Sequence, residues 1–306
     1  MRILVTGGSG MLGGAISKQL RINCNDLSLS VPSRSELDLL DYRAVKKYLI
    51  SGNYDLVIHC AALVGGIRAS VDHPFEFLNT NILIDSNIMH ASQELGIVGF
   101  MYMASSCMYP AVTNQPMAES QLLTGELEKT NEGYALAKLV GIKTVEAVAN
   151  HLNWRAFILS NLYGPGDKYG EGNSHLIAAI IKKVSKAAKQ GAPTIEMWGS
   201  GNAHREFTYV EDVAQYLVQV IGKLSSLPPV MNLGLGQEYS VREYYEYVCK
   251  EFAYEGLISP NLTQPEGMLQ KLMDSSLARS HGWNPKTEVT DGISMTIREF
   301  LLRGEV

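Results

Sequence analysis

The sequence predicts an α/β fold, a doubly wound parallel sheet, and three observations carry that prediction. Short apolar runs recur along the chain with helical stretches between them, the runs are apolar throughout rather than alternating, and a glycine-rich turn joins the first run to an apolar-periodic segment. Strands apolar on both faces belong to a sheet covered on both sides, and intervening helices supply the crossovers that parallel strands need. No internal repeat or low-complexity segment interrupts the alternation. With 306 residues the chain can bury a substantial core and is expected to form two lobes.

In chain order, Arg2-Ile3-Leu4-Val5-Thr6 reads as a buried strand, then Gly7-Gly8-Ser9-Gly10-Met11-Leu12-Gly13-Gly14 leads into a helix through Ala15-Ile16-Ser17-Lys18-Gln19-Leu20. Glycines at 7, 10 and 13 let the backbone turn tightly, approach a pyrophosphate and pack helix on strand, while free N–H groups at the helix start attract its charge. The spacing G-x-x-G-x-x-G therefore predicts a dinucleotide site of Rossmann type. The second strand, Leu27-Ser28-Leu29-Ser30-Val31, runs into Pro32-Ser33-Arg34, where NAD enzymes place an acid for the ribose 2′-hydroxyl. A guanidinium there suits a 2′-phosphate, so Arg34 predicts NADPH as the cofactor.

Further strands are expected at Asp55-Leu56-Val57-Ile58-His59-Cys60, Gly99-Phe100-Met101-Tyr102-Met103-Ala104, Ala156-Phe157-Ile158-Leu159 and Val230-Met231-Asn232-Leu233. Ligands of such a sheet lie at its carboxyl ends, and Ser105, Cys107 and Asn161 all follow one. The helix expected over 131–152 is apolar nearly all round, with Leu136, Leu139, Val140, Ile142, Val145 and Val148, so it needs cover on two sides. One side would meet the sheet and the other a second copy of the chain. The pattern loosens after Gly164-Pro165-Gly166 and leaves the sheet rhythm from about Gly236. Residues 1–165 with about 207–236 are thus expected to form the cofactor domain, and about 166–206 with 237–306 a smaller C-terminal α/β substrate lobe.

Composition narrows the function classes. Lys+Arg 26 against Asp+Glu 31 makes a mildly acidic protein without the basic stripe that nucleic acid requires. No apolar run reaches membrane length, and the N-terminus already reads as a strand, so neither anchor nor signal peptide is expected. Cys24, Cys60, Cys107 and Cys249 are scattered without metal-ligand spacing, which predicts no metal site and a reduced, cytoplasmic setting.

Acid/base equipment sits in Tyr134-Ala135-Leu136-Ala137-Lys138. Residues four apart on a helix share a face, so the Lys138 ammonium is expected near the Tyr134 phenol, favouring phenolate and lowering a pKa that starts at roughly 10. Among 15 tyrosines such a pair also arises by chance or from packing. Its position after a dinucleotide loop and a Ser-x-Cys strand end favours chemistry on a carbonyl.

Taken together, Thr6-Gly7-x-x-Gly10-x-x-Gly13, Asn81 in a helix start, Ser105, Tyr134 and Lys138 resemble the extended short-chain dehydrogenase/reductases that act on nucleotide sugars. A narrower resemblance runs through Ala61-Ala62-Leu63-Val64-Gly65-Gly66-Ile67, Ser105-Ser106-Cys107-Met108-Tyr109-Pro110, Leu122-Leu123-Thr124-Gly125 and Thr130-Asn131-Glu132. It continues in Asn161-Leu162-Tyr163-Gly164-Pro165, Asn173-Ser174-His175, Trp198-Gly199-Ser200-Gly201 and Arg205-Glu206-Phe207. These motifs are similar to the branch of NADPH-dependent 3,5-epimerase/4-reductases of GDP-4-keto-6-deoxy-D-mannose. The chain departs from that branch at Leu63, Gly133 and Gln270, the last beside Lys271 in the substrate lobe.

The resemblance implies roles. Cys107 and His175 would exchange protons at C3 and C5, which a C4 ketone acidifies. Ser105 and Tyr134 would face the C4 oxygen, and Lys138 the nicotinamide ribose. Cofactor contacts would come from Gly7, Gly10, Met11, Leu12, Gly13, Arg34, Leu39, Ala61, Ala62, Lys138, Asn161 and His175. Substrate contacts would come from Ser105, Ser106, Cys107, Asn161, Lys183, Trp198, Arg205 and Lys271, and a GDP-sugar is the expected partner molecule. Related enzymes pair through the helix carrying Tyr134 and the one after Asn81, so a homodimer is expected. Two alternatives stay open: C4 reduction alone on another GDP-4-keto sugar such as a heptose, and a non-catalytic NADPH-binding sensor.

Overall fold

A computed structural model of the protein describes residues 1–23, 26–170, 174–264 and 267–304; Cys24 and Asn173 lie outside the described residues. The first half alternates in order: β1 (Arg2–Thr6), α1 (Met11–Asn23), β2 (Ser28–Ser30), α2 (Tyr42–Gly52), β3 (Leu56–His59), α3 (Ile67–Asp72), α4 (Pro74–Glu94), β4 (Gly99–Ser105), α5 (Glu132–Val148) and β5 (Asn153–Leu159). The second half holds β6 (Asn161–Tyr163), α6 (Leu176–Gln190), β7 (Thr194–Trp198), β8 (His204–Arg205), β9 (Phe207–Tyr209), α7 (Val210–Gln219) and β10 (Val230–Leu233). After these come β11 (Tyr239–Ser240), α8 (Val241–Glu251), β12 (Leu257–Asn261), α9 (Ser276–Ser280) and α10 (Val289–Leu302).

Six strands make one parallel sheet in the order β10-β5-β4-β3-β1-β2, the doubly wound Rossmann arrangement that the apolar runs predict. The chain steps from β1 outward to β2 and then crosses to β3 on the other side. That reversal opens a crevice beyond the carboxyl ends of β1 and β3. Strand residues alternate between two cores, as the period of two demands. On β5, Trp154, Ala156 and Ile158 join Val45 and Leu49 of α2, Ile88 of α4 and Leu139 and Ile142 of α5. Phe157 and Leu159 point the other way, to Ile16 and Leu20 of α1 and Val213 and Leu217 of α7.

A third core lies outside the sheet, where Tyr163, Ile177, Ile181, Phe207, Tyr244 and Phe300 draw together β6, β9, α6, α8 and α10. Small pairings support it: β6 with β9, β7 with β12 and β8 with β11. Ala278 and Trp283, late in the chain, pack against the main sheet instead.

Local signals explain several boundaries. Asp41 caps α2 by accepting from Arg43 N and Ala44 N, and Ser240 with Glu243 forms a capping box on α8. One expectation is corrected. Asn81 is not at a helix start, because α4 begins at Pro74, whose missing N–H costs nothing at the first helical position; Asn81 lies about two turns in. β2 is also shorter than the segment 27–31 expected for it, which alternates leucine and serine and is only partly buried, and β5 begins three residues before Ala156.

Candidate active site

The glycine loop is built as its spacing implies. Gly7 adopts φ +71°, and a Cβ on it would stand 2.6 Å from Ala61 N, so the carboxyl ends of β1 and β3 touch there without a side chain between them. Gly10 N donates to Gly7 O at 3.0 Å, and Gly13 packs α1 onto the loop. The helix starts at Met11, so the backbone N–H groups of the first turn open toward the crevice. Leu12 is a core residue, leaving only its backbone for a phosphate. Arg34 is exposed just beyond β2, beside Ser33, whose hydroxyl donates to Glu36. Leu39 O accepts from Asn87 of α4. Buried Asn81 bonds both Leu63 N and Leu63 O, pinning the segment that carries Ala61 and Ala62.

Ser105 ends β4, and a 3₁₀ turn at Ser106–Met108 places Cys107 next to it. The Ser105 hydroxyl accepts from Cys107 N at 3.4 Å, capping that turn. Ser106 and Cys107 are buried. Burial pushes the Cys107 thiol up, against the pull of Lys271, the Ser105 hydrogen bond and Lys138. Lys138 is 2 % exposed, with Nζ 5.9 Å from the Tyr134 ring centroid, so the expected face-sharing holds.

The expected electrostatic consequence does not. Tyr134 is raised well above the ordinary phenol value by burial, by Cys107 and by Asp85. The first physical reason is burial, which disfavours the charged phenolate; Lys138 meanwhile lies 3.2 and 3.3 Å from the two oxygens of buried Asp85. No hydrogen bond among the described residues engages the Tyr134 hydroxyl.

Substrate-side residues arrive from far along the chain. Lys271 faces Cys107, Arg205 and Glu206; burial lowers it, Cys107 raises it, and Arg205 lowers it further. Glu206 fastens this corner, its carboxylate accepting from Gly236 N at 2.7 Å and Met273 N at 3.0 Å. Burial lifts Glu206 to about 7 despite those donors. Asn161 on β6 donates to Glu206 O at 3.4 Å. Lys183 and Trp198 stand on α6 and β7, Lys183 Nζ donating to Glu196 O at 2.7 Å and Trp198 being half exposed. His175 precedes α6 and pairs with Asp167 at 3.3 Å, not with Cys107. The Asp167 hydrogen bond raises His175 against the opposing effect of burial.

The structure thus gathers Ser105, Cys107, Tyr134, Lys138 and Lys271, while His175 is held separately by Asp167. Sequence reasoning missed Asp85, His59 and Tyr102, which surround Lys138, and Asp167. One signal pointed to Asp85: an acid in the otherwise apolar stretch Ile82-Leu83-Ile84, one turn after Asn81. Among the described residues no group of His, Cys, Asp or Glu could hold a metal ion, and no helix is long and apolar enough to cross a membrane. A hollow lined by Leu49, Tyr54, Ile97 and Val98 lies at the amino ends of the strands, the opposite edge from this chemistry.

The chain is similar to proteins of named activity along nearly its whole length. The chain is 39% identical over 304 residues to a GDP-L-colitose synthase of Yersinia pseudotuberculosis, covering 98% of each. It is 37% identical over 310 residues to a GDP-L-fucose synthase of Escherichia coli K12, covering 98% of this chain and 96% of that one. Among solved structures, a GDP-mannoheptose C4 reductase from Campylobacter jejuni with NADP bound superposes with a TM-score of 0.88 at 26% identity, covering 98% of each chain. Residues 3–234 match the NAD dependent epimerase/dehydratase family, a span that opens inside β1 and closes just after β10. Since that span carries the whole parallel sheet and every residue gathered at its carboxyl edge except Lys271, the chain belongs to the NAD dependent epimerase/dehydratase family.

Proposed function

We propose that this chain is an NADPH-dependent epimerase/reductase converting GDP-4-keto-6-deoxy-D-mannose to GDP-L-fucose. The observation that carries the reading is the convergence of Ser105, Cys107, Tyr134 and Lys138 with Lys271 at the carboxyl edge of the sheet that bears the glycine loop. The GDP-L-fucose synthase and GDP-L-colitose synthase relatives support a GDP-sugar, and the NADP-bound neighbour supports the cofactor. The cradle fits a dinucleotide, since the space where a Gly7 side chain would stand is filled by the backbone of Cys60 and Ala61 and that of Gly13 by the loop's own backbone.

The chemistry follows from the groups present. A C4 ketone acidifies C3 and C5 through one shared enolate. Cys107 and His175 exchange protons with those carbons, while the hydroxyls of Ser105 and Tyr134 stabilise the enolate oxygen. The glycine loop would hold NADPH, with Arg34 at its 2′-phosphate, and the bound cofactor would supply the hydride for C4. Tyr134 then gives its proton to the C4 oxygen, a task that its raised pKa favours because the phenol stays protonated. Lys271, Arg205, Lys183, Asn161 and Trp198 serve the GDP-sugar, within a substrate lobe of about 166–206 and 237–306.

Reduction at C4 without inversion is the second reading, favoured by the separation of His175 from Cys107 and by the C4 reductase neighbour. Incubation with GDP-4-keto-6-deoxymannose and NADPH in deuterium oxide separates the two. Deuterium is expected at C3 and C5 of a galacto-configured product, and Cys107→Ser should suppress it; a reduced product without deuterium overturns the epimerase roles.

Two copies pair through α4 and α5 in this proposal. Leu83 on α4, with Leu136 and Val140 one turn apart on α5, are 38%, 40% and 48% exposed, an apolar strip beside the sheet-facing side. Free Cys60, Cys107 and Cys249 suit a reducing, cytoplasmic compartment.

A further inference from the structure

A strap of chain at 269–274 carries Lys271 into the site, and hydrogen bonds along both of its edges hold it. On one edge His204 N donates to Leu269 O at 2.8 Å and Glu206 N to Lys271 O at 3.3 Å. On the other, Leu272 N donates to Gln115 Oε1 at 2.8 Å, Met117 N to Leu272 O at 2.8 Å and Asp274 N to Met117 O at 2.9 Å. The first edge ends at Lys271, because the chain beyond Glu206 turns away as β9 to pair with β6. There the Glu206 side chain takes over.

Glu206 is 2 % exposed, and each of its polar groups is engaged. Oε2 accepts from Met273 N at 3.0 Å and Oε1 from Gly236 N at 2.7 Å. Its N–H serves Lys271, and its carbonyl accepts from Asn161 Nδ2 at 3.4 Å. Gly234 leaves room for the carboxylate, since a Cβ there would stand 2.3 Å from Oε1. One residue thus ties together three groups assigned to the GDP-sugar: Asn161 and Lys271 by hydrogen bonds, and Arg205 as its neighbour in the chain. Arg205 and Lys271 face each other as like charges. Cations gathered in a partly dehydrated corner repel, so their spacing has to be imposed by the backbone that carries them, and it suits a ligand with two negative charges.

We propose that Glu206 is a positioning residue: through the strap it holds Lys271 at a fixed spacing from Arg205, so that the two cations meet the diphosphate of a GDP-sugar together. The inference rests on the reading above that this corner takes the GDP-sugar. The geometry calls for a carboxylate and not an amide. A carboxylate accepts on both oxygens, whereas glutamine would turn its –NH2 on the N–H of Gly236 or of Met273. Donor against donor pushes the strap off Glu206 and takes Lys271 with it, although both cations are still present. Charge alone predicts the opposite sign, since removing an acid beside two cations would tighten the hold on an anion.

The test is calorimetric titration of GDP into the full chain, above the pH of about 7 to which burial lifts Glu206, so that its carboxylate is charged. Glu206→Gln should weaken GDP about tenfold, the scale of one misplaced charged hydrogen bond. Lys271→Ala should weaken it at least as much, and adding Glu206→Gln to Lys271→Ala should cost nothing more, because the strap then carries no cation to misplace. NADPH affinity, read by nicotinamide fluorescence, should stay near the parent value. Gly234→Ala, whose methyl displaces the Glu206 carboxylate while leaving it charged, serves as a second variant should Glu206→Gln fail to fold, and the same loss is expected. GDP bound as tightly as by the parent or more tightly, or losses that add fully in the double variant, overturn the proposal. A parent that binds NADPH but not GDP overturns the functional reading instead. Amide hydrogen exchange over 269–274 then decides the role of Glu206: exchange no faster in Glu206→Gln than in the parent overturns it.

Discussion

A methyl group added at Gly13 tests the cofactor cradle directly. Its Cβ would stand 2.3 Å from Gly7 O, 2.7 Å from Gly7 C and 3.0 Å from Gly8 Cα. All three are backbone atoms of the loop, so no side-chain rotation relieves the overlap. Comfortable non-bonded contact begins at about 3.5 Å, so the loop must withdraw from α1 by roughly 1 Å. Overpacking of this kind costs about 1–3 kcal/mol of stability. A displacement of about 1 Å in groups that position a ligand costs on the order of a hundredfold. Gly13→Ala should therefore weaken NADPH binding by about two decades while the protein remains folded. Gly14→Ala is the control, because its Cβ meets only Gly8 O, at 3.3 Å, and alanine inside α1 gains about 0.5–1 kcal/mol over glycine. NADPH fluorescence titration measures the affinities, and urea unfolding the stabilities. If Gly13→Ala binds NADPH as tightly as Gly14→Ala does, the loop does not hold the pyrophosphate as argued.

Other predictions address the remaining groups. Arg34→Glu should move the ratio of kcat/KM for NADPH over NADH toward NADH, and an unchanged ratio removes Arg34 from the 2′-phosphate. Tyr134→Phe should lower reduction by about two to four decades with NADPH affinity preserved; near-normal turnover would place the proton donor elsewhere. Asp167→Asn replaces the carboxylate whose charged hydrogen bond raises His175 with a neutral amide. A raised folded pKa contributes stability that is full below the unfolded value of about 6.5 and lost as pH rises through the folded value. The Tm difference between the parent and Asp167→Asn should accordingly be largest in mildly acidic solution and shrink toward alkaline pH, and a pH-independent difference refutes the pairing.

The strands were legible in the sequence because a strand buried on both faces is apolar at most positions, whatever surrounds it. The glycine loop was legible for a similar reason: the close approaches of the end of β1 to the end of β3 and of α1 to the loop are backbone requirements, met by glycine at Gly7 and Gly13 respectively. Tyr134 and Lys138 were visible because four residues on a helix bring them together without help from the rest of the chain. Asn81 was singled out by motif, but its work, tying Leu63 to α4, depends on a hydrogen bond across 18 residues. Its position in α4 was misjudged because Pro74 was not weighed as a helix start.

Local pattern alone therefore determined the sheet, the dinucleotide loop and the Tyr134–Lys138 pairing, since each rests on the chain's own geometry over a few residues. The tertiary structure decided the electrostatics. Asp85 reaches Lys138 across 53 residues, Lys271 comes to Cys107 from the far end of the chain, and Asp167 draws His175 to itself. The Tyr134 shift took the opposite sign from that expected because burial, with Cys107 and Asp85 beside it, outweighs the nearby ammonium. Coulomb interactions depend on distance in space and on burial, and neither is encoded in the spacing of residues along a sequence.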